Sequence, residues 1–140
     1  MSLFSVFAIS GSGMSAETER LSAIASNLAN ADSTISSAGQ PYRAREVVFS
    51  AAPIDDGGDN SAASIGMAGV QVAGVVESQQ PLRTVYDPNS PYADGSGYVQ
   101  MPNVNPADEM VNMISATRNY QADLEAFNVA KTLALKTLSI

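Results

Sequence analysis

Apolar and polar positions recur with two different periods along this chain, helical toward both ends and strand-like between them. Near the amino end, Leu21, Ile24, Ala25 and Leu28 fall at i, i+3, i+4 and i+7, the spacing that lines one face of a helix. Heptad steps back from Leu28 put Leu21, Met14 and Phe7 at one seam position. The other position holds Leu3, Ser10, Glu17, Ile24 and Ala31, so the seam is apolar on one side and soft on the other. Gly11 and Gly13 each weaken an isolated helix by about 1 kcal/mol. A free chain is therefore expected to start its helix near Ser15, with Glu17 and Glu19 favourable in the first turn. Extending it further back requires a partner.

The carboxyl end carries a longer helical signal. Asn105-Pro106 supplies an N-cap and a proline at the first helical position, and Asp108 and Glu109 complement the helix dipole. Met110, Met113, Ile114, Thr117, Tyr120, Leu124, Phe127, Ala130, Ala134 and Leu138 then recur at three- and four-residue steps. This predicts a helix of about thirty residues, roughly 45 Å long, with no Gly or Pro to interrupt it. Such a helix exceeds any small core, so its stripe must face the amino-terminal helix or another chain. Two terminal helices paired as a coiled coil are the economical arrangement. Beyond Phe127, Leu133, Leu135, Leu138 and Ile140 spread over more than one face with only Lys131 and Lys136 as charges, which asks for a second partner.

Between these segments the period shifts to alternation. GQPYR, from Gly39 to Arg43, reads as a turn, after which Arg43, Arg45, Val47 and Phe49 alternate with Tyr42, Ala44, Glu46 and Val48. Val70, Val72 and Val76 mark a second strand, Leu82 to Tyr86 a third and Gly97 to Met101 a fourth, with turns at Asp87-Pro88 and Ser90-Pro91. Residues 52–68, rich in Asp, Gly, Ser and Ala, read as a flexible loop. Tyr42, Tyr86, Tyr92 and Tyr98 are expected to pack within a small sheet. The fold class is thus α+β: an amino-terminal helical segment over 1–34, a β-rich insert over 35–104 and a carboxy-terminal helix over 105–140.

Composition removes many functions. Ten Gly and seven Pro in 140 residues leave much of the chain as loop and argue against one large core. The 14 acidic and 7 basic residues give a net charge of −7 with the basic ones scattered, so nucleic acid is excluded as a partner class. No apolar run reaches the roughly 18 to 20 residues of a membrane span, and MSLFSVFAIS lacks the basic start of a signal peptide. Membrane insertion is not expected. Without Cys or His, disulfides, Cys/His zinc sites and His-dependent nucleophilic arrangements are excluded by inventory. The competing function is a small acidic metal-binding module or carboxylate-based enzyme on Asp55, Asp56 and Asp59. Their spacing is not that of a calcium loop, and Gly11 to Gly13 lacks the rest of a phosphate loop. No cofactor is expected.

One feature points elsewhere. LSAIASNLANA, from Leu21 to Ala31, has no ionisable side chain on any face, although a surface helix ordinarily exposes charge. ASNLANADS at 25–33, QPYRA at 40–44, VVESQ at 75–79, GYVQMPNV at 97–104 and the EMVNMI and YQA elements within 109–122 resemble the flagellar basal-body rod proteins. The resemblance runs through both ends and the strands, with the acidic segment IDDGGDNSAAS departing from the family pattern. It implies a structural subunit of the axial drive shaft that crosses the periplasm, exported unfolded and ordered on assembly. It also implies partners: further copies, rod proteins of the FlgB, FlgF and FlgG types, and the flagellar type III export apparatus. Leu21, Ile24, Asn27, Leu28 and Asn30, with Met110, Met113, Ile114, Tyr120, Leu124, Phe127, Leu133 and Leu138, would then form the assembly interface.

Overall fold

The structure, a computed structural model, describes residues 3–34, 40–54 and 68–139. Its elements are α1 (Leu3–Ala29), β1 (Arg45–Pro53), β2 (Ala68–Glu77), β3 (Arg83–Tyr86), β4 (Tyr98–Met101) and α2 (Pro106–Leu138). Among the described residues, two helices and two small antiparallel sheets make the fold α+β, as the periodicity predicts.

The helices lie antiparallel. Phe7 meets Phe127 with ring centroids 4.8 Å apart, Asn119 bonds Glu17 at 3.0 Å, and Asn27 bonds Glu109 at 3.2 Å. These contacts correct the expected start near Ser15: α1 runs unbroken through Gly11 and Gly13 from Leu3. Packing offsets the propensity cost, and Gly13 serves it, since a Cβ there would lie 2.6 Å from Asp123 Oδ2.

On α2, Asn105 accepts from the Ala107 amide at 3.1 Å and donates to Asp108 at 2.8 Å, so the cap and Pro106 start the helix as the sequence predicts. The covered face reads Glu109, Met113, Ala116, Tyr120, Asp123, Phe127, Ala130 and Ala134, with strictly alternating steps of four and three. Ala116 and Ala130 are its buried members, small enough for the helices to come close. The stripe expected from sequence therefore divides in two. Met113, Tyr120, Phe127, Ala130 and Ala134 line the covered face, while Met110, Ile114, Thr117, Leu124 and Leu138 are exposed beside it.

The strands pair as two hairpin-like sheets. β1 and β2 run from Arg45↔Glu77 to Pro53↔Ala68, and the register jumps between Val48 and Phe49, leaving Ala73 as the extra residue of a bulge. Their inner side rests on α1, where Ser12 Oγ accepts from the Val70 amide at 3.0 Å. The first strand starts at Arg45 rather than at Tyr42 and reaches into the stretch read as loop. Residues 55–67, including Asp55, Asp56 and Asp59, lie outside the described residues. β3 and β4 pair from Arg83↔Met101 to Tyr86↔Tyr98.

The core is small, as the composition predicts: Ala31, Ala44 and Val104 with Tyr42 against them. Of the tyrosines expected to pack inside a sheet, Tyr86, Tyr92 and Tyr98 are exposed instead. The small sheet buries Val99 of β4, while Tyr86 and Tyr98, paired at the neighbouring register position, stay exposed and stack edge-on, 5.2 Å apart.

Candidate assembly interface

Asn27 is 1% exposed and joins three segments. Its Nδ2 donates to the Arg45 carbonyl at 2.9 Å and to Glu109 Oε2 at 3.2 Å. Its Oδ1 accepts from the Arg45 amide at 2.8 Å and from the Tyr42 hydroxyl at 3.0 Å. All four capacities of the amide are used within the chain, which is what burial of such a group requires. Asn30 does a local job: it donates to the Ser26 carbonyl at 2.8 Å and accepts from Ser33 at 3.3 Å, closing the end of α1.

The middle of the helix pair is polar. Glu17 is 8% exposed; its Oε1 accepts from Asn119, whereas Oε2 accepts no hydrogen bond among the described residues and has the Arg20 guanidinium 3.8 Å away. Asp123, opposite Gly13, is held above the ordinary carboxylate range, first by burial and then by the charge of Glu17. Sequence reading placed Glu17 on the soft side of the seam but missed Asn119 and Asp123. The available signal was their spacing of three and four from Tyr120, Ala116 and Phe127.

Of the residues predicted for assembly, Ile24 and Asn27 are buried within the chain, and Leu21, Leu28, Asn30, Met113, Tyr120 and Phe127 are half-buried. Met110, Ile114, Leu124, Leu133 and Leu138 are exposed. Met110 and Ile114 are each 54% exposed, Leu124 41% and Leu138 84%, and with Leu135 they fall on the line one residue along from the covered face, where Thr117, Gln121, Asn128 and Lys131 stand between them. Large apolar side chains exposed along the length of a helix that is already packed on its neighbouring face fit a protein surface rather than a small molecule. A groove of about 330 Å³ between α1, β1 and the start of α2 mixes Arg20 and Arg45 with Glu46 and Glu109. Among the described residues, no three acidic side chains gather as a metal site would need, and no helix is long and apolar enough to cross a membrane.

Helices at both ends, one of them with exposed apolar side chains beside its packed face, are an architecture suited to association, and comparison with known proteins names the class. The chain belongs to the flagellar basal-body rod proteins: residues 7–34 match the family described as "Flagella basal body rod protein", and 96–140 match "Flagellar basal body rod FlgEFG protein C-terminal". It is similar over its whole length to the flagellar basal-body rod protein FlgC of Escherichia coli O6:H1, 49% identical over 140 residues that cover 98% of that protein. FlgC of Salmonella typhimurium is 48% identical and that of Buchnera aphidicola from Acyrthosiphon pisum 44%, each again matching 100% of this chain and 98% of the relative.

Proposed function

We propose that the chain is a structural subunit of the proximal flagellar rod, the part of the axial shaft that transmits torque across the periplasm. The role is structural, not enzymatic. The observation that carries the reading is the set of exposed apolar side chains on α2, Met110, Ile114, Leu124, Leu135 and Leu138, left open beside the face that is packed on α1. In this reading the segments 1–34 and 105–140 form a coiled-coil axial domain, with 35–104 as its outer β-rich insert. Leu21, Leu28, Met110, Ile114, Leu124, Leu133 and Leu138 meet neighbouring subunits, while Ile24, Asn27, Asn30, Met113, Tyr120 and Phe127 set the shape that is presented to them. The contacts are head-to-tail, since a closed two-fold contact would end growth. Other copies and rod proteins of the FlgB, FlgF and FlgG types are the partners, and the type III export apparatus delivers the chain.

Ile114→Asp and Leu124→Asp test this. Both side chains are exposed, so each variant is expected to keep the fold of the isolated chain within about 0.5 kcal/mol. A charge buried at a subunit contact costs several kcal/mol, so both are expected to abolish rod incorporation and motility. Normal rods in the double variant would overturn the reading.

A further inference from the structure

We propose that Asp123, set beside the buried Glu17, is a proton-operated latch in the helix pair, which closes α1 onto α2 when the Asp123 carboxyl is protonated and loosens the pair when both carboxyl groups are charged. The inference rests on the geometry of this chain and stands apart from the rod reading.

Four residues make the arrangement. Gly13 and Glu17 are one turn apart on α1, Asn119 and Asp123 one turn apart on α2, and the pairs face each other. Asn119 donates to Glu17 Oε1 at 3.0 Å, and Asp123 lies over Gly13, where a Cβ would be 2.6 Å from Oδ2. The two carboxylates therefore stand diagonally across the seam. Glu17 is 8% exposed, and among the described residues no donor reaches hydrogen-bond distance of its Oε2. Protonating Asp123 removes one of two like charges from a desolvated layer and brings an O–H donor into the layer that holds the unsatisfied Glu17 Oε2.

Among the described residues one cation stands against the pair, and it is shared. Arg20, 3.8 Å from Glu17, also lines the groove that holds Arg45 and Glu46 of β1 and Glu109 of α2. The part of β2 set against α1, Gly69 to Val72, has no ionisable side chain, and Glu19 faces that part. On α2, Arg118 and Glu125 are exposed on the outer side and Lys131 is two turns away. Burial and the charge of Glu17 act on Asp123 in the same direction.

The sign follows from linkage. A carboxyl whose paired-state pKa is raised binds its proton earlier in the paired state. Pairing therefore strengthens as pH falls through the raised value, and the gain is complete below the unpaired value of 3.8. With one proton involved, the ratio of paired to unpaired helices rises by up to about tenfold per pH unit within that window.

The test is helix content and thermal midpoint of the full chain from pH 7.5 to pH 4.5 at fixed ionic strength. The unmodified chain is expected to gain on both readouts on acidification. Asp123→Asn is expected to be high throughout and to lose most of the slope, and Glu17→Gln to flatten it as well. Glu125→Gln, which alters an exposed carboxylate two residues away, is expected to keep the slope. Carbon-13 titration of the Asp123 carboxyl in the unmodified chain gives an independent reading, expected above the ordinary carboxylate range. An unchanged slope in Asp123→Asn, an equal loss in Glu125→Gln, no gain in the unmodified chain, or an ordinary Asp123 titration would each overturn the latch.

Discussion

The amide of Asn27 donates twice and accepts twice, and no other side chain of its size can do both. Asn27→Ala removes all four bonds and leaves the Arg45 amide and carbonyl short of partners, so a loss of about 2 to 3 kcal/mol is expected in chemical denaturation. Asn27→Asp should cost more, because it sets a carboxylate against both the Arg45 carbonyl and Glu109. Equal stability of the two variants would show that geometry, not the donor pair, matters at this position. Gly11 is the opposite case. A Cβ there meets nothing within 4 Å, so Gly11→Ala is expected to raise stability by about 1 kcal/mol through helix propensity alone. A thermal midpoint unchanged or lowered by that substitution would mean that the helix is not continuous through the glycines.

Among the elements, two respond to acid in opposite directions. The β3–β4 turn is organised by Asp94, whose carboxylate accepts from the amides of Tyr98 at 2.9 Å and Ser96 at 2.8 Å. These bonds, Tyr98 first, hold its pKa below the ordinary 3.8. Its support is present above that value and is lost as pH falls through the lowered one. Acidification from neutral toward pH 4 should therefore raise amide protection, taken relative to the intrinsic exchange rate at each pH, along α1 and α2 while leaving it unchanged at Tyr86 and Tyr98. The hairpin should loosen only below that. In the same turn Gly97 has φ +82 and a Cβ would sit 2.9 Å from the Tyr86 ring, so Gly97→Ala should open the hairpin without melting the helices. The elements themselves were legible in the sequence, because caps, turns and period each leave a local trace. Their limits were less so. The start of α1 at Leu3 depends on Phe127 and Asp123, more than a hundred residues further on, and no local propensity records that. The split of the α2 stripe was hidden for a related reason: two tracks one residue apart both read as three-and-four spacing, and only a partner distinguishes them.

At the scale of the whole molecule, the antiparallel register decides where the chain is complete by itself. Phe7 with Phe127, Gly13 with Asp123, Glu17 with Asn119 and Asn27 with Glu109 place residues 131–133 opposite Leu3, so Leu135, Lys136 and Leu138 extend past the described start of α1. Leu135 and Leu138 are 58% and 84% exposed, and Leu133 and Val129 lie open just before them. A terminal turn without lateral contacts does not offset an ordering entropy of about 1 to 2 kcal/mol per residue, so it should fray in the isolated chain. Amide exchange is therefore expected to be fast from about residue 132 onward in dilute solution, slower across the covered stretch from Ala116 to Ala130, and slow throughout in assembled rods. Deleting residues 132–140 should leave the sheets and the Asn27 cluster folded, since neither touches the overhang, while blocking incorporation. Protection of the overhang in the isolated chain equal to that at Ala116 would show that the tail is satisfied from within, and the exposed apolar side chains would then need no neighbour.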